Sequence, residues 1–133
     1  MTQSAFISMS FSRKHQITDV VDKLKDTLAT YNIASKVFVD DYTFDISDEA
    51  TMMKVSCEDI SQCDFLIAEL SHKAIGVGVE VGYAIGIGKP VIYMRHINAE
   101  HSTTVSGIST YKIIYTSLDD MEQQLKAIIL ELV

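Results

Sequence analysis

Short runs of β-forming residues alternate with amphipathic stretches along this chain, and that alternation restricts its fold more than any other feature. AFISM at 5–9, IASKVFV at 33–39, DFLIAEL at 64–70, KPVIYM at 89–94 and YKIIYT at 111–116 read as strands. Between the first two, Ile17, Val20, Val21, Leu24 and Leu28 recur at helical spacing, with Asp22, Lys23, Lys25 and Asp26 on the other side. After the polar loop DYTFDISDE, Ser47 with Asp48 and Glu49 behind it predicts a capped helix running to about residue 62. A glycine-punctuated helix follows the third strand, and residues 95–109 read as a polar loop. Ser117, followed by Asp119 and Asp120, opens a last helix whose apolar stripe is Met121, Leu125, Ile128 and Ile129. Strands that alternate with helices in this way form a parallel sheet covered on both faces. Right-handed crossovers then give an α/β, doubly wound, flavodoxin-like sheet of five parallel strands in the order 2-1-3-4-5. In such sheets ligands bind beyond the carboxyl ends of the strands, so the loops after the first, third and fourth strands share one crevice.

With 133 residues the chain is expected to form a single domain over 1–133. Its net charge of −7 argues against nucleic acid or an anionic membrane as a partner. A small anion remains compatible, because amides at a helix start can hold a phosphate locally. Charged residues interrupt every apolar run before it reaches membrane-spanning length. The opening MTQSAFISMSFSRKHQ lacks the features of a secretion signal, so a cytoplasmic location is expected. Cys57 and Cys63 have no companions at zinc spacing; free thiols in a reducing compartment are the expected state, with a disulfide as the alternative. His15, His72, His96 and His101 are scattered through polar segments, so neither a metal nor a cofactor is expected.

The segment AIGVGVEVGYAIGIG at 74–88 contains a single charge, Glu80. An unpaired carboxylate is expensive to bury, and a surface helix would carry several charges on its outer face. Glu80 therefore points into a pocket, or the helix is covered by a partner subunit, or both. Gly78, Gly82 and Gly86, spaced by four, predict close packing of one helix side against the sheet or another helix. Gly76 lies off that stripe and suits a tight turn where backbone approaches a ligand. The run does not satisfy the dinucleotide fingerprint G-x-G-x-x-G, and it follows the third strand rather than the first. A carboxylate near a helix start, in apolar surroundings, has the attributes of a covalent nucleophile at a sugar anomeric carbon. The helix over 77–87 is too apolar to face water, which predicts a homodimer or a higher homo-oligomer.

CDFLIAELSHKAIGVGVEVGYAIGIGKPVIYM, residues 63–94, resembles the core of the nucleoside 2-deoxyribosyltransferase superfamily, which includes 5′-phosphate-preferring deoxynucleotide N-hydrolases and cytidylate N-glycosidases. The matching elements are Asp64, the Gly76-Gly78-Glu80-Gly82 segment, Ala84 and Gly88-Lys89-Pro90-Val91, with FISMSFS as a divergent version of the family's opening strand. The resemblance implies the fold derived above and makes Glu80 the nucleophile that attacks C1′ of a nucleoside or nucleotide and expels the base. It assigns substrate contacts to Phe6, Ser8, Ser10, Ser56, Gly76, Gly78 and Thr104, the last within HSTTVSG, a segment that in the family reaches a neighbouring subunit's site. Four positions depart from the family pattern. Ser56 stands where relatives carry a helper aspartate, Phe6 where they carry tyrosine, Met9 near a usual glycine, and Ala74 where they carry Asp or Ser. Asp59 or Glu58 could substitute for the helper on a rotated helix, and Asp40 or Asp41 could handle the base. Arg13 and Lys14 are either solvated charges or phosphate ligands, and Asp64 reads as a strand-start residue.

Besides an enzyme acting on N-glycosidic bonds, two other readings stay open. One is a nucleotide-binding module on the same fold with its chemistry weakened, supported by Ser56, Ala74, Phe6 and Met9. The other is an NAD-cleaving domain related in logic to TIR domains, which also place a glutamate in a doubly wound sheet.

Overall fold

In a computed structural model, which describes residues 3–10, 13, 17–38 and 45–133, every strand pairs in parallel. Strands β1 (Gln3–Met9), β2 (Ile33–Val37), β3 (Phe65–Glu69), β4 (Val91–His96) and β5 (Tyr111–Tyr115) line up in the order β2-β1-β3-β4-β5, as the pattern predicts. Helices α1 (Thr18–Thr30), α2 (Glu49–Gln62), α3 (Ile75–Gly86), α4 (Thr103–Ile108) and α5 (Leu118–Leu132) connect or follow them. Alternating side chains of β1 build the two cores. Ala5, Ile7 and Met9 join Leu24, Leu28, Leu125 and Ile129 under α1 and α5. Phe6 joins Leu66, Ala68, Val77, Val81 and Ala84 under α2 and α3. The same period of two turns Ser8 toward α2 and α3, where β1 reaches the carboxyl edge of the sheet.

Several local expectations are corrected. The 95–109 segment is not all loop, because β4 continues to His96 and Ser102 caps the six-residue α4, accepting a hydrogen bond from the Val105 amide. So short a helix shows too little periodicity to be read from sequence. Ser47 caps nothing; it lies inside a 3₁₀ turn, Ile46–Asp48, that leads directly into α2. By contrast Ser117 does cap α5, its hydroxyl accepting from the Asp120 amide. Among the described residues, the helix-side packing expected of Gly78, Gly82 and Gly86 is not formed: a Cβ added at any of them would meet nothing within 4 Å. The helix is rotated so that Val77, Val81 and Ala84 make the buried face. Ile75, Val79, Gly82 and Gly86 form an outer stripe, with Ile75 89% and Val79 50% exposed. Gly88, at φ 83°, ends α3 in a conformation that favours glycine and turns the chain toward β4.

Candidate active site

Glu80 sits in the second turn of α3 on the side facing the sheet, and both of its carboxylate oxygens are held by hydroxyls. Ser8 Oγ, from the end of β1, donates to Oε1 at 2.6 Å. Ser56 Oγ, from the middle of α2, donates to Oε2 at 2.5 Å. Three elements distant in sequence thus converge on one carboxylate. Both serines are buried, at 2% and 1% exposure, where an unpartnered hydroxyl would be costly. Burial pushes the Glu80 carboxyl above the ordinary glutamate range, while the hydrogen bonds from Ser56 and Ser8 pull it back down. The Cys57 thiol, half-buried next to Ser56, is raised by burial and then by Glu80.

Glu80 lines a cavity of about 450 Å³ with Ser10, Phe38, Ser56, Ala74, Gly76 and Val77, completed by the methionines at 9, 52 and 53. The walls are mainly apolar, and Glu80 is the ionisable side chain among the described lining residues. The cavity opens at the carboxyl edge of β1, beside the first turn of α3. Ala74 occupies the N-cap of α3 without a side-chain cap, leaving the first-turn amides at Gly76 and Val77 beside the cavity. This is the crevice that a doubly wound sheet predicts.

Other expected site residues lie elsewhere. Phe6 is fully buried behind the cavity, its ring centroid 6.3 Å from that of the lining residue Phe38. Gly78 and Thr104 line a neighbouring cavity of about 470 Å³ with Lys73, Ile75 and Ser102, on the other side of the α3 start. Asp59 does not serve Glu80; it belongs with Lys36, 3.9 Å away, whose register partner is Phe6 in the middle of β1. Helix α2 runs antiparallel to the strands, so three residues beyond Ser56 carry Asp59 about 4.5 Å away from the crevice, back along the sheet. Glu58 is exposed on the same helix. Asp64 is structural: its carboxylate accepts from the Ser4 amide and its own amide donates to the Ser4 carbonyl, both at 2.8 Å. Arg13 is exposed, whereas Lys14, His15, Asp40 and Asp41 lie outside the described residues.

A second buried carboxylate escaped the sequence reading. Glu69, at the end of β3 and 1% exposed, projects to the α1/α5 side of the sheet, opposite Glu80. It accepts from the Ser71 amide at 2.6 Å, the Ser71 hydroxyl at 3.0 Å and the Tyr115 hydroxyl at 2.7 Å. Burial raises its carboxyl, and the same burial, together with Glu69, raises the Tyr115 phenol. The network ties the loop that enters α3 to the end of β5. Its signal in sequence was the one used for Glu80, a lone acid in the apolar run FLIAEL.

Fold and site together define a flavodoxin-like domain that presents one hydroxyl-clamped carboxylate at the floor of an apolar crevice. The chain belongs to the nucleoside 2-deoxyribosyltransferase family, whose sequence model matches residues 8–126. A putative 2′-deoxynucleoside 5′-phosphate N-hydrolase of Syntrophotalea carbinolica is 34% identical over 70 residues, 50% of this chain and 49% of the relative. The match thus spans about half the length of that relative. Among solved structures, the CMP N-glycosidase of Clostridium botulinum superposes with a TM-score of 0.68 at 20% identity, over 93% of this chain and 99% of the other. The 2-deoxyribosyltransferase of Bacillus psychrosaccharolyticus gives 0.70 at 15% identity, over 90% of both chains. These two likenesses establish a shared fold. Among the described residues, no helix is long and apolar enough to cross a membrane.

Proposed function

We propose that this protein cleaves or transfers the N-glycosidic bond of a nucleoside or its 5′-monophosphate through a covalent glycosyl–Glu80 intermediate. The observation that carries the reading is the Glu80 carboxylate, clamped by Ser8 and Ser56 and lining the cavity. One carboxylate oxygen attacks C1′ as the base departs through an oxocarbenium-like transition state; water or a second base then releases the sugar. The two serine hydroxyls orient the nucleophile and leave each oxygen a further lone pair for attack. Ser10 and the uncapped amides of the α3 start offer partners for a 5′-phosphate. Incubation with nucleosides and 5′-monophosphates, with and without an acceptor base, tests this by chromatography of the free base. Release from at least one substrate is expected, and binding without release would favour a binding module instead. That second reading draws on Ser56, a hydroxyl where the family carries its helper acid.

The pH dependence has a definite sign. Attack requires the carboxylate, so activity rises with pH through the raised Glu80 value. Ser8→Ala or Ser56→Ala removes a contact that lowers that value, so the ascending limb of kcat/KM should move to higher pH in each variant. A limb that stays in place would contradict the hydroxyl clamp.

The exposed stripe Ile75, Val79, Gly82 and Gly86 supports a homo-oligomer, because its small residues let another backbone approach while its apolar side chains seek cover. Sedimentation at micromolar concentration should give a dimer or larger, and Val79→Arg should give monomer. A monomeric wild type would count against it. We read residues 1–133 as one domain, and the free Cys57 and Cys63 support a reducing, cytoplasmic setting.

A further inference from the structure

Three thioethers, those of Met9, Met52 and Met53, line the Glu80 cavity. Met52 and Met53 stand on α2 four and three residues before Ser56, so they share the helix face that holds Glu80. Because α2 runs antiparallel to the strands, its first turns lie at the carboxyl edge of the sheet, where the cavity opens. Both side chains are half-buried there. The other described methionines are closed off: Met9 is 4% exposed, and Met94 and Met121 are 0% exposed. Met94 and Met121 fill the core, whereas a thioether at a cavity mouth can be reached by small solutes.

The nearby thiols compete poorly for an oxidant. Cys57 lies one turn beyond Met53 on α2, and burial, then the Glu80 charge, raises its thiol and keeps it protonated. Cys63 is buried, and that burial raises its thiol as well. Peroxides react with the thiolate, whereas a thioether has no proton to lose and offers its lone pair at any pH. A sulfoxide at this wall replaces an apolar surface with a strong hydrogen-bond acceptor, which a bound substrate covers without pairing.

We propose that Met52 and Met53 form a peroxide-reactive modification site at the mouth of the Glu80 cavity, and that their oxidation to methionine sulfoxide reversibly weakens substrate binding. A sulfur lone pair attacks one oxygen of hydrogen peroxide; the S–O bond forms as the O–O bond breaks. The second oxygen takes the proton of the transferred one and leaves as water, so sulfur loses two electrons and the peroxide gains them. Reversal consumes two thiols, which become a disulfide while the sulfoxide oxygen leaves as water. The effect on activity rests on the reading of Glu80 as nucleophile; the oxidation itself does not.

The test treats the full chain with limiting hydrogen peroxide and maps sulfoxide by peptide mass. One tryptic peptide, 37–54, carries Met52 and Met53 and no other methionine. It should gain oxygen about tenfold faster than the peptides holding Met94 and Met121. In step with it, KM for the best-cleaved nucleoside or 5′-monophosphate should rise about tenfold, the scale of a polar group buried without a partner, with kcat little changed. Methionine sulfoxide reductases of both stereospecificities, supplied with a dithiol, should restore KM. The double variant Met52→Leu/Met53→Leu keeps the wall apolar, and the same dose should leave its KM within about twofold of its own untreated value. Should that variant fail to fold, the rise of KM with sulfoxide in wild type, and its reversal, decide. Met94 or Met121 oxidised as fast as peptide 37–54, or full sulfoxide at both positions with KM unmoved, would overturn the site. Equal losses in wild type and the double variant would do the same. Untreated protein that releases no base from any substrate would overturn the Glu80 reading instead, and mapping with reductase reversal would still decide the modification site.

Discussion

Glu80→Gln is expected to lower base release by about a thousandfold or more while nucleotide binding largely survives. The amide keeps the size and shape of the carboxylate, and the Ser8 and Ser56 hydroxyls can rotate to suit it. What it lacks is a lone pair basic enough to bond to C1′. A loss of that size corresponds to about 4 kcal/mol of transition-state stabilisation. The same variant should be more stable than wild type at neutral pH. Burial raises the Glu80 carboxyl, so the folded chain holds that proton more tightly than the unfolded chain. The stability linked to that proton is fully present below the ordinary glutamate range and is lost as pH rises through the folded value. Denaturant melts should therefore show a Gln advantage at pH 8 that disappears near about pH 4. An advantage that grew on acidification would have the wrong sign for a carboxylate held at a cost.

Glu69→Ala should produce the largest loss of stability of any substitution considered, about 3–5 kcal/mol by urea melts. The variant removes the shared acceptor of the Ser71 amide, the Ser71 hydroxyl and the Tyr115 hydroxyl, leaving the two hydroxyls only each other at 3.3 Å, and it opens a void at a fully buried position beside Met94, its register neighbour on β4. Removing the other end, by Tyr115→Phe, leaves the carboxylate with both Ser71 donors and should cost less, about 1–2 kcal/mol. Equal losses for the two would mean that the phenol, not the carboxylate, organises the cluster. Because this network anchors the loop entering α3, its loss should also loosen the approach to the Glu80 cavity.

The sheet was legible because β1, β3 and β4 each bury a mostly apolar run, and alternation with helices admits few topologies. Glu80 was legible because a single charge in an apolar helix needs an explanation. Glu69 carries the same signal but stands at a strand end, where an acid passes for one that leaves the sheet for solvent. Ser56 has no charge to draw attention, and its place beside Glu80 followed only from the family resemblance. Asp59 misled because charge was weighed without position along the helix axis: α2 puts Ser56 at the crevice and Asp59 about one turn further back, beside Lys36. The glycine stripe was correctly seen as one face of α3, but spacing alone could not say whether that face turned inward. Buried Val77, Val81 and Ala84 decided it: Gly82 and Gly86 look outward, and Gly78 lines the cavity beside α4.

Intact-mass analysis of enzyme quenched during turnover tests the covalent role of Glu80 most directly. A glycosyl–Glu80 ester adds the mass of the sugar, or sugar phosphate, without its base, and peptide mapping should place it on the segment containing Glu80. The adduct should form in wild type, disappear when substrate is exhausted, and be absent from Glu80→Gln. Base release that proceeds at full rate in Glu80→Gln, with no adduct at any time point in wild type, would contradict a nucleophilic Glu80.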